Sequence, residues 1–427
     1  MAAAGLLAKE GSTLVTSTFG WLDHDEGARR RMMDVINLFR EKGTLDELGI
    51  GTIRDTFAER FFPGTSTVQT RARYFLFIPW TYGLIEHERV PSNRADRHAR
   101  DLQWRLVQSL RAGGEGANAG LIGIEAGENV QRLPSTIYWQ GLRRWGIRLF
   151  DGSTDRYHAS LDGHHRQERA ARSSEGGELL DPVHRHWHGS LPPPPTDLLV
   201  RTTFTVTADE ADFLTERVRR SAPESLLAAC LTPVVMRVRG ARSPWDLGGL
   251  GSLRIELQRD IADARRFSLV MEGAVLLYNR MLAELAAERA VCPDPTRVER
   301  YGKELDRWAD EMIGAEDELA MWDRAGFWDR LYRMNPRIPP GATRFSDAWL
   351  ALAIGGPRSV RDDTGARMLV RDRERRLKTT LARLQNPRAL ERWSGESGLG
   401  RLTYRWDSAR RILVDILDGR RRLASAT

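Results

Sequence analysis

From Leu253 to about Arg289 the chain repeats one pattern without interruption. Leu257, Ile261, Ala264, Ser268, Met271, Val275, Tyr278, Leu282 and Ala286 recur at alternating spacings of four and three, and only Ser268 is polar. That is the period of one helix face. Over the middle, SLVMEGAVLLY, the remaining faces are apolar as well. An element apolar all round must be covered on every side. The pattern therefore demands a central helix with other helices packed around it, and Gly273 leaves room for one of them to approach closely. With 41% apolar and 29% charged residues over 427 positions, the chain has the composition of an ordinary globular protein with two or three cores.

The rest of the sequence reads as mainly α and multi-helical, with a winged-helix-like element in the N-terminal half and a larger helical bundle in the C-terminal half. The expected organisation is a disordered leader (1–18), an N-terminal helical region (19–161), a linker or long loop (162–196) and a C-terminal helical domain (197–427). Asp23 and Glu26 form a capping pattern ahead of ARRRMMDVINLF. Thr52 is placed to cap a helix ending near Phe62, where Pro63-Gly64 breaks it. A second helix starts near Ser66, is apolar on every side from Tyr74 to Ile78, and is expected to stop at Pro79. Arg71 and Arg73, at its polar end, are expected to pair with a carboxylate such as Asp55 or Glu59. A third helix covers about 93–112. Beyond the linker, LVRTTFTVT alternates like a short strand, and Thr207 with Glu210 makes a capping box. Helices then follow at about 298–329 and 345–354, before a basic terminal pair separated by WSGESGLG.

The stretch RLPSTIYWQGLRRWGIRLF, residues 132–150, carries its own punctuation. Ser135 is placed to cap the start. Gly146 sits where a helix reverses into the left-handed conformation, with Ile147 closing back onto Leu142. Tyr138, Leu142 and Trp145 form the apolar stripe, while Gln140, Arg143 and Arg144 point the other way. Arg148-Leu149-Phe150 then reads as a short strand running into a turn at Asp151-Gly152. A helix with an Arg/Gln outer face followed by strand and turn is how a winged helix meets a DNA groove, and Gln140, Arg143, Arg144 and Arg148 are the candidate groove residues.

Net charge adds a second footprint. Lysine occurs only at 9, 42, 303 and 378, so 61 of the 65 cationic residues are arginine. From Gly356 to Thr427 there are 18 Lys/Arg against 9 Asp/Glu; the whole chain is +7, so everything before Gly356 sums to −2. The C-terminal end is the better electrostatic match for a polyanion, and Arg371, Arg375, Arg376 and Lys378 are its candidate phosphate contacts. Arg420, Arg421 and Arg422 cluster at the end.

No P-loop, nucleophile elbow, HExxH, CxxC or EF-hand spacing occurs, and no catalytic residue or cofactor is assigned. Acidic residues such as Asp306, Asp310, Glu311, Glu316 and Asp317 fall at solvent-face spacing. Five of the nine histidines (His164, His165, His184, His186 and His188) lie in the expected linker, but no Cys or carboxylate is spaced there to complete a metal shell, so no metal is expected. Cys230 and Cys292 stand alone, which fits a reducing cytoplasm. No window is apolar for long enough to span a membrane.

GWLDHDE near Gly20, ELGIGTIRDTFAERFFPGTSTVQTRARYFLFIPW, RLPSTIYWQGLRRWGI, ARRFSLVMEGAVLLYNRMLAE and LTYRW near Leu402 resemble a bacterial family defined as a domain of unknown function. The resemblance spans nearly the whole chain from Gly20 and departs from it at the leader and around 165–180. It transfers no catalytic residue. It implies a place beside helicases and phospholipase D-like nucleases in antiphage defence clusters. The expected function is an accessory, non-catalytic DNA-binding or scaffolding subunit that meets duplex DNA and positions a neighbouring helicase or nuclease. The alternatives are a protein–protein adaptor anchored by Trp322, Trp328, Trp393 and Trp406, and a metal-dependent nuclease assembled from scattered carboxylates.

Overall fold

The long pattern at 253–289 becomes a single 34-residue helix, Ile255–Glu288, buried along most of its length. The structure, a computed structural model, describes residues 46–123, 133–173, 185–232, 237–291, 294, 296–398 and 400–424. Among them lie fifteen helices and no strand. The first five are α1 (Gly51–Phe61), α2 (Tyr74–His87), α3 (Ser92–Ala112), α4 (Pro134–Arg144) and α5 (Thr154–Ser173). Next come α6 (Ala208–Ser221), the short α7 (Leu226–Cys230) and the central α8 (Ile255–Glu288). The last seven are α9 (Thr296–Gly314), α10 (Glu316–Ala320), α11 (Arg324–Met334), α12 (Pro340–Gly355), α13 (Thr364–Lys378), α14 (Pro387–Glu391) and α15 (Trp406–Ala424).

α9, α12 and α13 pack on α8. Gly273 lets α9 in: a Cβ there would lie 2.3 Å from Cζ2 of Trp308, inside any permitted contact. The indoles of Trp308 and Trp349 are buried against α8 and donate to its Leu269 and Val270 carbonyls, each at 2.8 Å. Their polar N–H groups thus find partners without leaving the core.

In the N-terminal half, Tyr74–Ile78 are all inaccessible, as an element apolar on every side requires. α2 begins at Tyr74, not near Ser66, and passes through Pro79 to His87. One proline removes a single backbone donor, and packing against α3 and α4 holds the helix through it. α1 is capped by Asp46, whose carboxylate accepts from the Ile50 and Gly51 N–H groups, and not by Thr52. Arg71 and Arg73 do form ion pairs, but with distant partners. Arg71 reaches Asp415 at 2.8 Å and Arg73 reaches Glu210 at 2.7 Å, tying the start of α2 to α15 and α6.

The capping box is present: Thr207 accepts from Glu210 N–H while the Glu210 carboxylate accepts from Thr207 N–H. LVRTTFTVT forms no strand. Its backbone is instead held by α3 and the loop after it, through Thr202 N–H on the Ser109 carbonyl and Phe204 N–H on Glu115. The acidic stretch at 298–329 divides into α9, α10 and α11, with Asp323 capping the last. The expected linker is structured where it is described. α5 runs through its first residues, Trp187 is buried, and the Pro192 carbonyl accepts from Trp80 Nε1 at 2.7 Å. Residues 46–427 form one compact unit. The leader and the Asp23/Glu26 capping pattern lie outside the described residues.

No helix among the described residues is long and apolar enough to cross a membrane.

Candidate functional site

α4 ends as its sequence dictates. Gly146 has φ +66°, Ile147 N–H donates to the Leu142 carbonyl at 2.9 Å and Gly146 N–H to the Arg143 carbonyl at 3.0 Å, completing a Schellman motif. Its start differs. Pro134 occupies the first turn, and Ser135 offers no side-chain cap; its N–H goes to Gln103 Oε1. Tyr138, Leu142 and Trp145 are fully buried, which turns Gln140, Arg143 and Arg144 outward to exposed positions. Arg143 stands 3.5 Å from the exposed Asp151, and Arg144 3.0 Å from Glu59.

Arg148 does not join that face. It is 1% exposed, stacks on the Trp139 ring at 4.5 Å, and donates to the carbonyls of Trp139, Phe150 and Gly152. Burial lowers its pKa to about 10. The chain reverses at Gly146, so the turn at 150–152 folds back on α4, where the guanidinium donates to the Phe150 carbonyl and shares the Gly152 carbonyl with Trp139 Nε1. The expected strand is an isolated antiparallel bridge between Arg148 and Trp187, flanked by Leu149 N–H on the His186 carbonyl at 2.8 Å.

α13 divides its cations in the same way. Arg373 faces inward and donates to the carbonyls of Leu48, Gly49 and Gly341, each within 2.9 Å. Lys378, expected to contact phosphate, is half-buried. It pairs with the buried Glu47, lies 3.5 Å from Glu374 and donates to the Tyr278 hydroxyl, so its charge is spent inside the fold. Arg371, Arg375 and Arg376 are exposed. Arg375 pairs with Asp372 at 3.0 Å, and Arg371 and Arg376 have no carboxylate partner among the described residues.

The tryptophans named as adaptor anchors are core residues. Trp322, Trp393 and Trp406 are buried, with Trp322 donating to Asp263 and Trp406 to the Ala241 carbonyl; only Trp328 is half-exposed.

One constellation escaped the sequence reading. Glu86 in the last turn of α2, His164 of α5 and His186 place one oxygen and two ring nitrogens within 4.8 Å of one another. Glu86 Oε1 accepts from Tyr157 Oη at 2.5 Å and Trp187 Nε1 at 3.2 Å, and lies 2.8 Å from His186 Nδ1. The His164 and His186 rings lie 4.2 Å apart, centre to centre. Burial, then the neighbouring His186, pushes the His164 pKa down, disfavouring the protonated ring. A carboxylate 78 positions before the first histidine has no spacing signal that local reading detects; only the α2–α5 arrangement brings it in.

A family model described as "Family of unknown function (DUF6361)" matches residues 16–420. The chain belongs to DUF6361. The match covers every described element from α1 to α14 and most of α15. No curated protein and no solved structure matches this DUF6361 chain.

Proposed function

We propose that the protein is a non-catalytic accessory or scaffolding subunit that binds duplex DNA through phosphate contacts. The observation that supports this reading is the sorting of arginines on α13. Where Arg373 and Lys378 are used within the fold, Arg371 and Arg376 remain exposed with no carboxylate partner among the described residues, beside the exposed Arg375 paired with Asp372. Keeping cations exposed and uncompensated has a purpose if a polyanion neutralises them. Gln140, Arg143 and Arg144 on α4 form the second contact, with the bridged segment after Gly146 in the place of a wing. Placement beside a helicase or nuclease rests on the sequence resemblance alone.

The test is fluorescence anisotropy with labelled duplex DNA across a salt titration, comparing wild type with Arg143→Glu/Arg144→Glu and Arg375→Glu/Arg376→Glu. Wild-type affinity should fall with salt at a log–log slope of about −0.9 per phosphate neutralised. The α13 variant should bind more weakly and with a shallower slope. Absence of binding by wild type at low salt overturns the reading in favour of an adaptor.

A further inference from the structure

We propose that Glu86, His164 and His186 form a binding site for a divalent transition-metal ion, zinc foremost. The donor set is two imidazole nitrogens and one carboxylate oxygen, which suits zinc and its first-row neighbours and is poorly suited to the oxygen-seeking magnesium and calcium. The three donors lie within 4.8 Å of one another. Bonds of 2.0–2.2 Å in a tetrahedral arrangement would draw them to roughly 3.4 Å, a shift within the reach of side-chain torsions. The closest pair, His186 Nδ1 and Glu86 Oε1 at 2.8 Å, is already near that spacing.

Three further observations fit a metal better than a hydrogen-bond network alone. Both histidines are buried, at 7% exposure, and their rings lie 4.2 Å apart with planes tilted by 31°, with no hydrogen bond between them. Among the described residues His164 has no hydrogen-bond partner, and its Nε2 lies 3.7 Å from Glu168 Oε1. Glu86 Oε1 takes up all the contacts from Tyr157, His186 and Trp187, while Oε2 has no hydrogen-bond partner among the described residues. The Tyr157 hydroxyl and Trp187 indole would thereby orient the carboxylate, as outer partners of metal ligands do. Three protein ligands leave a fourth position for water. The ion would tie α2, α5 and the 186–188 segment together at one point.

The experiment uses tag-free full-length protein, stripped with a chelator and then titrated with Zn2+ or Co2+ alone. Readouts are metal content after gel filtration, the visible spectrum of the Co2+ form and competition with a chromophoric chelator. Wild type should retain about one equivalent, with Co2+ bands of a low-symmetry nitrogen–oxygen site. His164→Ala and Glu86→Gln should weaken binding by about tenfold or more, and zinc should raise the melting temperature of wild type but not of these variants. His98→Ala, at a surface histidine paired with Glu88, should bind as wild type does. Should a ligand variant fail to fold by circular dichroism, the wild-type Co2+ spectrum and its loss to chelator decide the matter. Stripped wild type that takes up no ion, or a folded His164→Ala that binds as tightly, overturns the proposal. DNA binding is read separately, so failure here leaves the proposed function standing.

Discussion

Arg143 and Arg148 are five residues apart in one arginine-rich stretch and have opposite fates. Arg143 is exposed with a weak partner, and Arg148 is 1% exposed with three carbonyl acceptors. Arginine carries no mark of its destination, because its long stem and five donors serve equally in water and against backbone carbonyls. Substitution should separate the two. Arg148→Met takes the guanidinium donor from the Trp139 and Phe150 carbonyls, Gly152 keeping the Trp139 indole, and should cost about 2 kcal/mol in urea unfolding, while Arg143→Met should stay within about 0.5 kcal/mol. For DNA affinity the order should reverse among folded variants, with Arg143→Met giving the larger loss. Equal stability losses would show that Arg148 is not the brace of the 150–152 turn.

Elements in this protein are joined by carboxylates shared between arginines. Glu284 on α8 accepts from Arg280 at 2.8 Å and from Arg367 of α13. Burial raises its pKa, but the Arg367 and Arg280 contacts outweigh burial and hold it below the ordinary 4.5. A folded-state pKa below the unfolded one means stability present above pH 4.5 and lost as pH falls through the folded value. Glu284→Gln should therefore be less stable than wild type at pH 7, with the gap closing below about pH 4.5. Urea midpoints at both pH values check this; a gap independent of pH would place the effect in packing and not in charge. At this scale the sequence was legible where the physics is local. The Thr207/Glu210 box, the Gly146 ending and the close approach at Gly273 all stand as their spacing implied. Asp46 as the cap of α1 and the continuation of α2 through Pro79 were not legible, since each depends on how neighbouring segments pack.

At the scale of the whole molecule, two ion pairs cross from the start of α2 to later helices. Glu210 and Asp415 sit beyond the expected linker, yet their partners Arg73 and Arg71 precede it. A fragment of residues 197–427 would leave both carboxylates, 5% and 9% exposed in the intact fold, without their cations. Losing a partner from a buried pair costs about 3–5 kcal/mol, a large share of a domain's stability. That fragment should retain helical far-ultraviolet dichroism but lose the near-ultraviolet signal of its tryptophans. A fragment with a sharp unfolding transition and intact near-ultraviolet spectrum would show the two regions to be independent domains.

The amino-acid sequence by itself determined that this chain is helical, that Ile255–Glu288 lies at its centre and that Gln140, Arg143 and Arg144 face outward. Each follows from contacts between residues three or four apart, whose geometry a helix fixes in advance. Only the tertiary structure decided that Arg148 and Lys378 turn inward, that His164 and His186 meet Glu86, and that Trp322, Trp393 and Trp406 belong to the core. The reason is that a charge, an imidazole or an indole takes its role from whatever the fold sets beside it. For Lys378 and the Glu86 cluster those neighbours lie tens to hundreds of positions away, and for Arg148 the nearby carbonyls of Trp139, Phe150 and Gly152 are brought together by the chain reversal at Gly146.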